Sequence, residues 1–130
     1  GEKSLGICVS DEMQIIPIPV ENYIFERFNL DMALQRVVDL LEKYKDIELI
    51  LLGYPLRTDG DKSAATLLVE DFNELLSNLS VKIRLVDETN STKNGIEMLQ
   101  NTIKDKEKIK ELRDVAAAYI ILKDYLETRI

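Results

Sequence analysis

The chain contains no histidine, no tryptophan and one cysteine. Without histidine, Ser-His-Asp and Cys-His catalysis are excluded, as is any histidine-ligated zinc centre. The single thiol, Cys8, can neither close an internal disulfide nor build a cysteine-rich zinc site, and it reads as a small core residue. Long apolar runs are lacking too. No segment reaches membrane-spanning length, and no charged, apolar, small-residue leader pattern opens the chain, so a cytoplasmic location without a membrane partner is expected. Positive charge is scarce, with 17 Lys and Arg against 24 Asp and Glu and a net charge of −7. Indiscriminate phosphate binding rests on clustered cations and is disfavoured, although a local basic patch can override the average. The remaining chemistry belongs to carboxylates, lysines, hydroxyls or a hard, oxygen-ligated metal.

What is present describes one domain of 130 residues, 45% hydrophobic and 32% charged, long enough for a real core. Residues 4–10 read as a short strand and 13–20 as an extended stretch that Pro17 and Pro19 confine to an edge or an irregular strand. Leu30, Ala33, Leu34, Val37, Val38, Leu41 and Tyr44 keep helical spacing. Residues 48–53 form a continuous apolar run of strand length, as expected for a strand covered on both faces. A loop over 54–62 follows, broken by Pro55 and Gly60, and then Leu68, Phe72, Leu75, Leu76 and Leu79 mark a second helix with Ser63 as its cap. The strand 81–86 leads to a helix opening near Ser91 or Thr92, a lysine-rich turn at 104–110 and a long final helix to about Thr128. This order is an α/β pattern, in which 48–53 and 81–86 are expected to lie parallel.

Two places carry candidate chemistry. The strand 81–86 runs into Asp87 and Glu88 and then the hydroxyls of Ser91 and Thr92, and the C-terminal ends of strands are where α/β sheets gather their sites. Adjacent strand residues point to opposite faces, so Asp87 and Glu88 are not expected to serve one metal equally unless the strand has already ended, and Asp87 is open to capping the next helix or bonding the loop after Gly53. Asp114 heads the apolar run 115–122, where a carboxylate is costly unless paired or coordinated. On residues alone the acidic pair is more often a helix-capping turn, and Asp114 also reads as a first-turn acid of the last helix. Asp11 reads as a turn former. The loop at Arg57 matches no phosphate-cradle pattern and reads as a mobile substrate edge. Lys104, Lys106, Lys108, Lys110 and Arg113 alternate with acids and read as a solvated face. The tyrosines are scattered and form no stacking platform.

These residues resemble a known family. Gly1-Glu2-Lys3-Ser4-Leu5-Gly6-Ile7-Cys8-Val9-Ser10-Asp11 is similar to the D-x-G-x-K-x-x-G-V-A-x-S-D opening of the YqgF/RuvX proteins, known as Holliday junction resolvases and pre-ribosomal RNA nucleases. Gly53-Tyr54-Pro55-Leu56 with Asp59-Gly60 resembles their G-x-P-x-x-x-D-G loop, and Val86-Asp87-Glu88 with Ser91 and Thr92 their V-D-E-R-x-T-T element. Asp114 with Ala117 and Ala118 matches their D-x-x-A-A helix, whose small residues would let the helix approach the sheet. The resemblance runs to about Leu126. It implies a ribonuclease H-like α/β fold with a five-stranded mixed sheet flanked by helices, and a nuclease using Mg²⁺ or Mn²⁺. Glu88 and Asp114 would be its catalytic and metal-binding carboxylates. Lys3, Arg57, Ser91, Thr92 and Arg113 would meet the substrate, either precursor 16S ribosomal RNA or branched DNA, and the protein would be a monomer or weak homodimer.

Two departures stand out. The family's first catalytic aspartate lies two residues before the counterpart of Gly1, at the end of the central strand, so that strand is largely missing and the native protein is expected to begin several residues earlier. Thr89 replaces the arginine after the acidic pair, and threonine cannot make a bidentate phosphate fork. A catalytically weak nucleic-acid or ribosome-associated binding protein on the same fold is therefore the competing class. A nucleotide-binding doubly wound domain lacks its glycine-rich turn.

Overall fold

Alternating small and apolar residues, followed by two prolines, shape the first hairpin. In the computed structural model, which describes residues 3–54, 64–87 and 106–128 with side chains of the last stretch from Arg113 onward, β1 (Ser4–Ser10) pairs antiparallel with β2 (Pro17–Ile24). The register shifts between Ile7 and Cys8, so that Cys8 faces Pro19. A bulge there suits a proline, which has no N–H to give the ladder. The hairpin turn is built by Asp11, as its sequence position suggested. Its Oδ1 accepts from the N–H groups of Ile15 and Ile16 at 2.7 and 2.8 Å, which holds its pKa below the usual carboxylate value.

Helix α1 (Leu30–Lys43) opens on Asn29, whose side-chain oxygen accepts from the Met32 N–H at 3.3 Å. Asp31 in the first turn and Lys43 in the last complement the helix dipole. Strand β3 (Leu49–Tyr54) extends one residue beyond the apolar run, helix α2 (Ala64–Leu76) crosses back, and β4 (Lys82–Asp87) pairs with β3. The two strands are parallel, in register from Leu49 opposite Lys82 to Tyr54 opposite Asp87, as their composition and the helix between them indicated. The final helix, α3 (Lys106–Thr128), takes in Lys106–Lys110, which were expected in a turn. Lysine and glutamate are strong helix formers, and that propensity prevails over the turn expected there.

The described residues do not show the expected five-stranded mixed sheet, whose first strand was expected to be largely missing from this chain. Among the described residues there are two two-stranded sheets, β1–β2 and β3–β4. The physical difference is a missing ladder: no described strand lies between β1 and β3 to hydrogen-bond both. Among the described residues β3 has one strand neighbour and Leu52 is its buried residue, while Leu85 of β4 is 40% exposed.

The hairpin is covered on both faces. Leu5 and Tyr23 join the core formed by Phe25, Ala33, Leu52, Phe72 and Leu76, which α1 and α2 close. The alternate residues Ser4, Gly6 and Cys8 face α3, whose Val115, Ala116 and Ala117 are buried. Ala118, grouped with Ala117 as the small pair, is half-buried, and the closest approach is made from the strand side. A Cβ on Gly6 would sit 2.2 Å from the Asp114 carbonyl carbon and oxygen and 2.5 Å from the Val115 nitrogen. Backbone meets backbone there, so no side-chain rotation relieves the clash. In an ordinary strand Gly→Ala is stabilising. Here Gly6→Ala is expected to lower stability by about 3 kcal/mol in urea titrations, as overpacking does when helix and strand must separate.

Candidate functional site

The Gly6 contact delivers Asp114 to the sheet. The Asp114 carboxylate is half-buried, and its Oδ2 accepts a hydrogen bond from the Ser4 hydroxyl. A half-buried anion needs such a donor, and this one comes from a strand at the opposite end of the chain. Four residues further along β1 than Ser4, Cys8 Sγ lies 3.6 Å from the Val115 carbonyl oxygen and donates to it. Burial pushes this thiol from 9.0 up to about 11, so Cys8 is protonated at neutral pH and is neither a nucleophile nor a soft metal ligand.

The other expected residues distribute unevenly. Lys3 is exposed at the start of β1, where its carbonyl accepts from the Phe25 N–H at 2.9 Å. Arg113 is exposed beside Asp114 on α3. Glu88, Thr89, Arg57, Ser91 and Thr92 lie outside the described residues, as do the Ser63 cap and the helix expected near Ser91, so the expected approach of Glu88 to Asp114 falls there too.

Asp87, exposed at the end of β4, borders a groove of about 250 Å³ with Val86, Ile121, Asp124, Tyr125 and Thr128. Next to it, the Arg84 guanidinium stands 5.7 Å from the Tyr125 ring centroid. Asp124 lies about 15 Å further along α3 than Asp114, at 1.5 Å per residue. Asp87 and Asp114 are therefore attached to different parts of that helix, and among the described residues no three His, Cys, Asp or Glu side chains form a metal cluster. The last residue of β3, Tyr54, stands in register with Asp87 and donates its hydroxyl to Glu70 Oε1 of α2 at 2.5 Å.

Sequence reasoning missed Ser4 and gave Gly6 no role. The signal was present: Ser4, Gly6 and Cys8 are small residues at alternate positions of one strand, which marks a face under a closely packed neighbour.

A model of the RuvX family, described as Holliday junction resolvase, matches residues 1–128. The chain belongs to the RuvX family. Its relatives include a protein of Mycoplasmopsis pulmonis (strain UAB CTIP), 39% identical over 128 residues that cover 97% of this chain and 87% of the relative. One from Mycoplasmopsis synoviae (strain 53) is 35% identical over 98% of this chain and 92% of its own length. A third, from Ureaplasma parvum serovar 3, is 35% identical over 97% of this chain and 90% of its own. All three are named as candidate pre-16S rRNA nucleases. In this RuvX-family chain the family-matching Asp114 is a carboxylate oriented from another element by a neutral hydroxyl, that of Ser4.

Two outcomes test this geometry. A hydrogen bond to an ionised group contributes roughly 1.5–3 kcal/mol when buried and less at half burial. Ser4→Ala is thus expected to cost about 1 kcal/mol in the wild-type background and almost nothing in Asp114→Ala, a coupling read by a double-mutant cycle in urea. For Cys8, the folded value of about 11 lies above the unfolded 9.0, so its contribution is full below pH 9 and is lost as pH rises toward 11. The stability difference between wild type and Cys8→Ala is expected to shrink across that window, and native Cys8 should react slowly with thiol reagents at pH 8.

Proposed function

We propose that this RuvX-family protein is a metal-dependent endonuclease that hydrolyses phosphodiester bonds in structured nucleic acid, with precursor 16S rRNA as its substrate. The observation that carries the reading is the Asp114 carboxylate, half-buried and oriented by Ser4 across the Gly6 contact, in a chain whose relatives bear the names of pre-16S rRNA nucleases. The donor chemistry fits a hard cation. Carboxylate oxygens suit Mg²⁺ or Mn²⁺, histidine is absent, and the thiol is held protonated.

Glu88 and Asp114 would hold the cation. Bound there, it would activate water and stabilise the charge developing on the phosphate. Ser4 fixes the Asp114 carboxylate and leaves its charge intact. Lys3 and Arg113 are the exposed chain neighbours of Ser4 and Asp114, and they meet substrate phosphates together with Arg57, Ser91 and Thr92. The same reading makes the two sheets the outer pairs of one five-stranded ribonuclease H-like sheet. β1 and β3 each have an edge without a strand partner among the described residues, as that arrangement requires. The protein would act in the cytoplasm as a monomer or weak homodimer. No described helix is long and apolar enough to cross a membrane.

The family description favours a second substrate, four-way DNA junctions. Thr89 and the net charge of −7 favour a third reading, a binding protein of low activity. Assays of the full-length protein on both precursor RNA and junction DNA separate these readings. Cleavage of the RNA is expected to require Mg²⁺ or Mn²⁺, to stop with EDTA, and to fall by orders of magnitude in Glu88→Gln and in Asp114→Asn, since each swap removes a ligand charge with little change of shape. Thr89→Arg is expected to tighten substrate binding by restoring the bidentate fork. Full activity in both carboxylate variants would overturn the roles given to Glu88 and Asp114, and RNA binding without metal-dependent cleavage by the wild type would establish the binding-protein reading instead.

A further inference from the structure

The hairpin of β1 and β2 ends in an apolar tip. Met13, Ile15 and Ile16 are 76%, 63% and 58% exposed, and Ile18, just inside β2, is 44% exposed. The turn that carries them is fixed from within. Besides holding the N–H groups of Ile15 and Ile16 with its side chain, Asp11 gives its own N–H to the Ile16 carbonyl at 3.0 Å and accepts the Gln14 N–H at 3.0 Å, and Gln14 keeps a φ of 57°. The aliphatic side chains are thus presented to solvent on a braced backbone, and a cluster of that kind marks a contact surface.

A groove of about 330 Å³ lies at the end of α1, walled by Val38, Leu41, Ile47, Leu79 and Val81, with exposed Glu42, Lys45 and Ser80 completing its lining. At the low end of the roughly 300–1,000 Å³ that ligand pockets span, it has room for a few side chains. Tip and groove share one end of the molecule. Helix α1 leaves the Ile24 end of β2, and Arg36 in its middle pairs with Glu21, so the helix runs back along the hairpin. Lys43 then lies about 10 Å beyond Arg36, and Pro17 about 13 Å beyond Glu21, on their way to that common end.

We propose that the tip of one copy seats in the groove of a second copy, and the reverse, closing a two-fold homodimer. A protruding and a receding apolar surface on the same end can be exchanged reciprocally about a two-fold axis, which closes the assembly at two chains. Charge agrees at the rim: exposed Glu12 on the tip is opposite in sign to Lys45 at the groove. Each tip offers roughly 300 Å² of apolar surface, so two tips against two grooves amount to roughly 1,200 Å², the lower end of specific interfaces. The net charge of −7 on each chain opposes association and keeps the dimer weak. Ser4 and Asp114 stand about 20 Å away, at the other end of β1, so both copies keep that site uncovered. This interface is independent of the nuclease reading.

Sedimentation velocity of the full-length protein tests it. Dimer is expected to form as concentration rises from about 1 μM to about 1 mM, and Ile15→Glu is expected to weaken it at least tenfold with an unchanged melting temperature. Cross-linking then reads the seating. With diamide as oxidant, a mixture of Met13→Cys and Ser80→Cys proteins is expected to give a disulfide-linked dimer, while either variant alone, and the wild type with only Cys8, gives little. A chain that stays monomeric throughout would leave the tip to a different protein and overturn the proposal. So would a dimer indifferent to Ile15→Glu, assemblies that grow beyond two chains, or Met13→Cys linking to itself as well as to Ser80→Cys.

Discussion

The contact between Gly6 and the Asp114–Val115 peptide governs the arrangement of this half of the molecule. Because the strand offers no Cβ, α3 settles onto β1 at backbone distance, with Val115, Ala116 and Ala117 buried against the hairpin. Two interactions then follow from geometry. Ser4, one pleat before Gly6, reaches the Asp114 carboxylate, and Cys8, one pleat after, reaches the Val115 carbonyl. Both would be lost if the helix rode further out, so one missing methyl group places a carboxylate and keeps a thiol inert.

The opposite face of the hairpin obeys ordinary apolar packing. Leu5 and Tyr23 pack on a core whose other members come from β3, α1 and α2, so the hairpin is a shared wall between this core and the Asp114 helix. Strand alternation makes the division of labour possible: odd-numbered Leu5 supports the core while even-numbered Ser4, Gly6 and Cys8 serve the helix. The bulge at Ile7 and Cys8 leaves that alternation in β1 intact, since the register shift places Pro19 opposite Cys8.

Much of this was legible in the residues. Helical spacing from Leu30, the apolar run before Gly53 and the alternation before Asp87 give α1, β3 and β4 nearly to the residue, and the intervening helix implies the parallel pairing. Asp11 was legible as a turn former because its short carboxylate can bond its own backbone. The pairing within each sheet was harder to read, since a strand's own pattern does not state which neighbour takes its second edge, whereas a gap between pairs accords with the central strand expected to be largely missing. Ser4 escaped notice for a related reason: a hydroxyl gains meaning only from what lies across from it, and Asp114 is separated from it by most of the chain.

The choice of partner for Asp114 separates it from the structural ion pairs. Glu21 is held by Arg36, which also stands 5.9 Å from the Tyr23 ring centroid, so that carboxylate is neutralised and built into the wall of the hairpin. Asp114 receives a neutral hydroxyl instead. Both partners orient a carboxylate, but only the arginine cancels its charge. A carboxylate meant solely for stability gains from a cation, which repays the cost of partial burial. The cation site proposed for Asp114 requires a carboxylate that is oriented and not neutralised, and the Ser4 hydroxyl on β1 supplies orientation without bringing a positive charge.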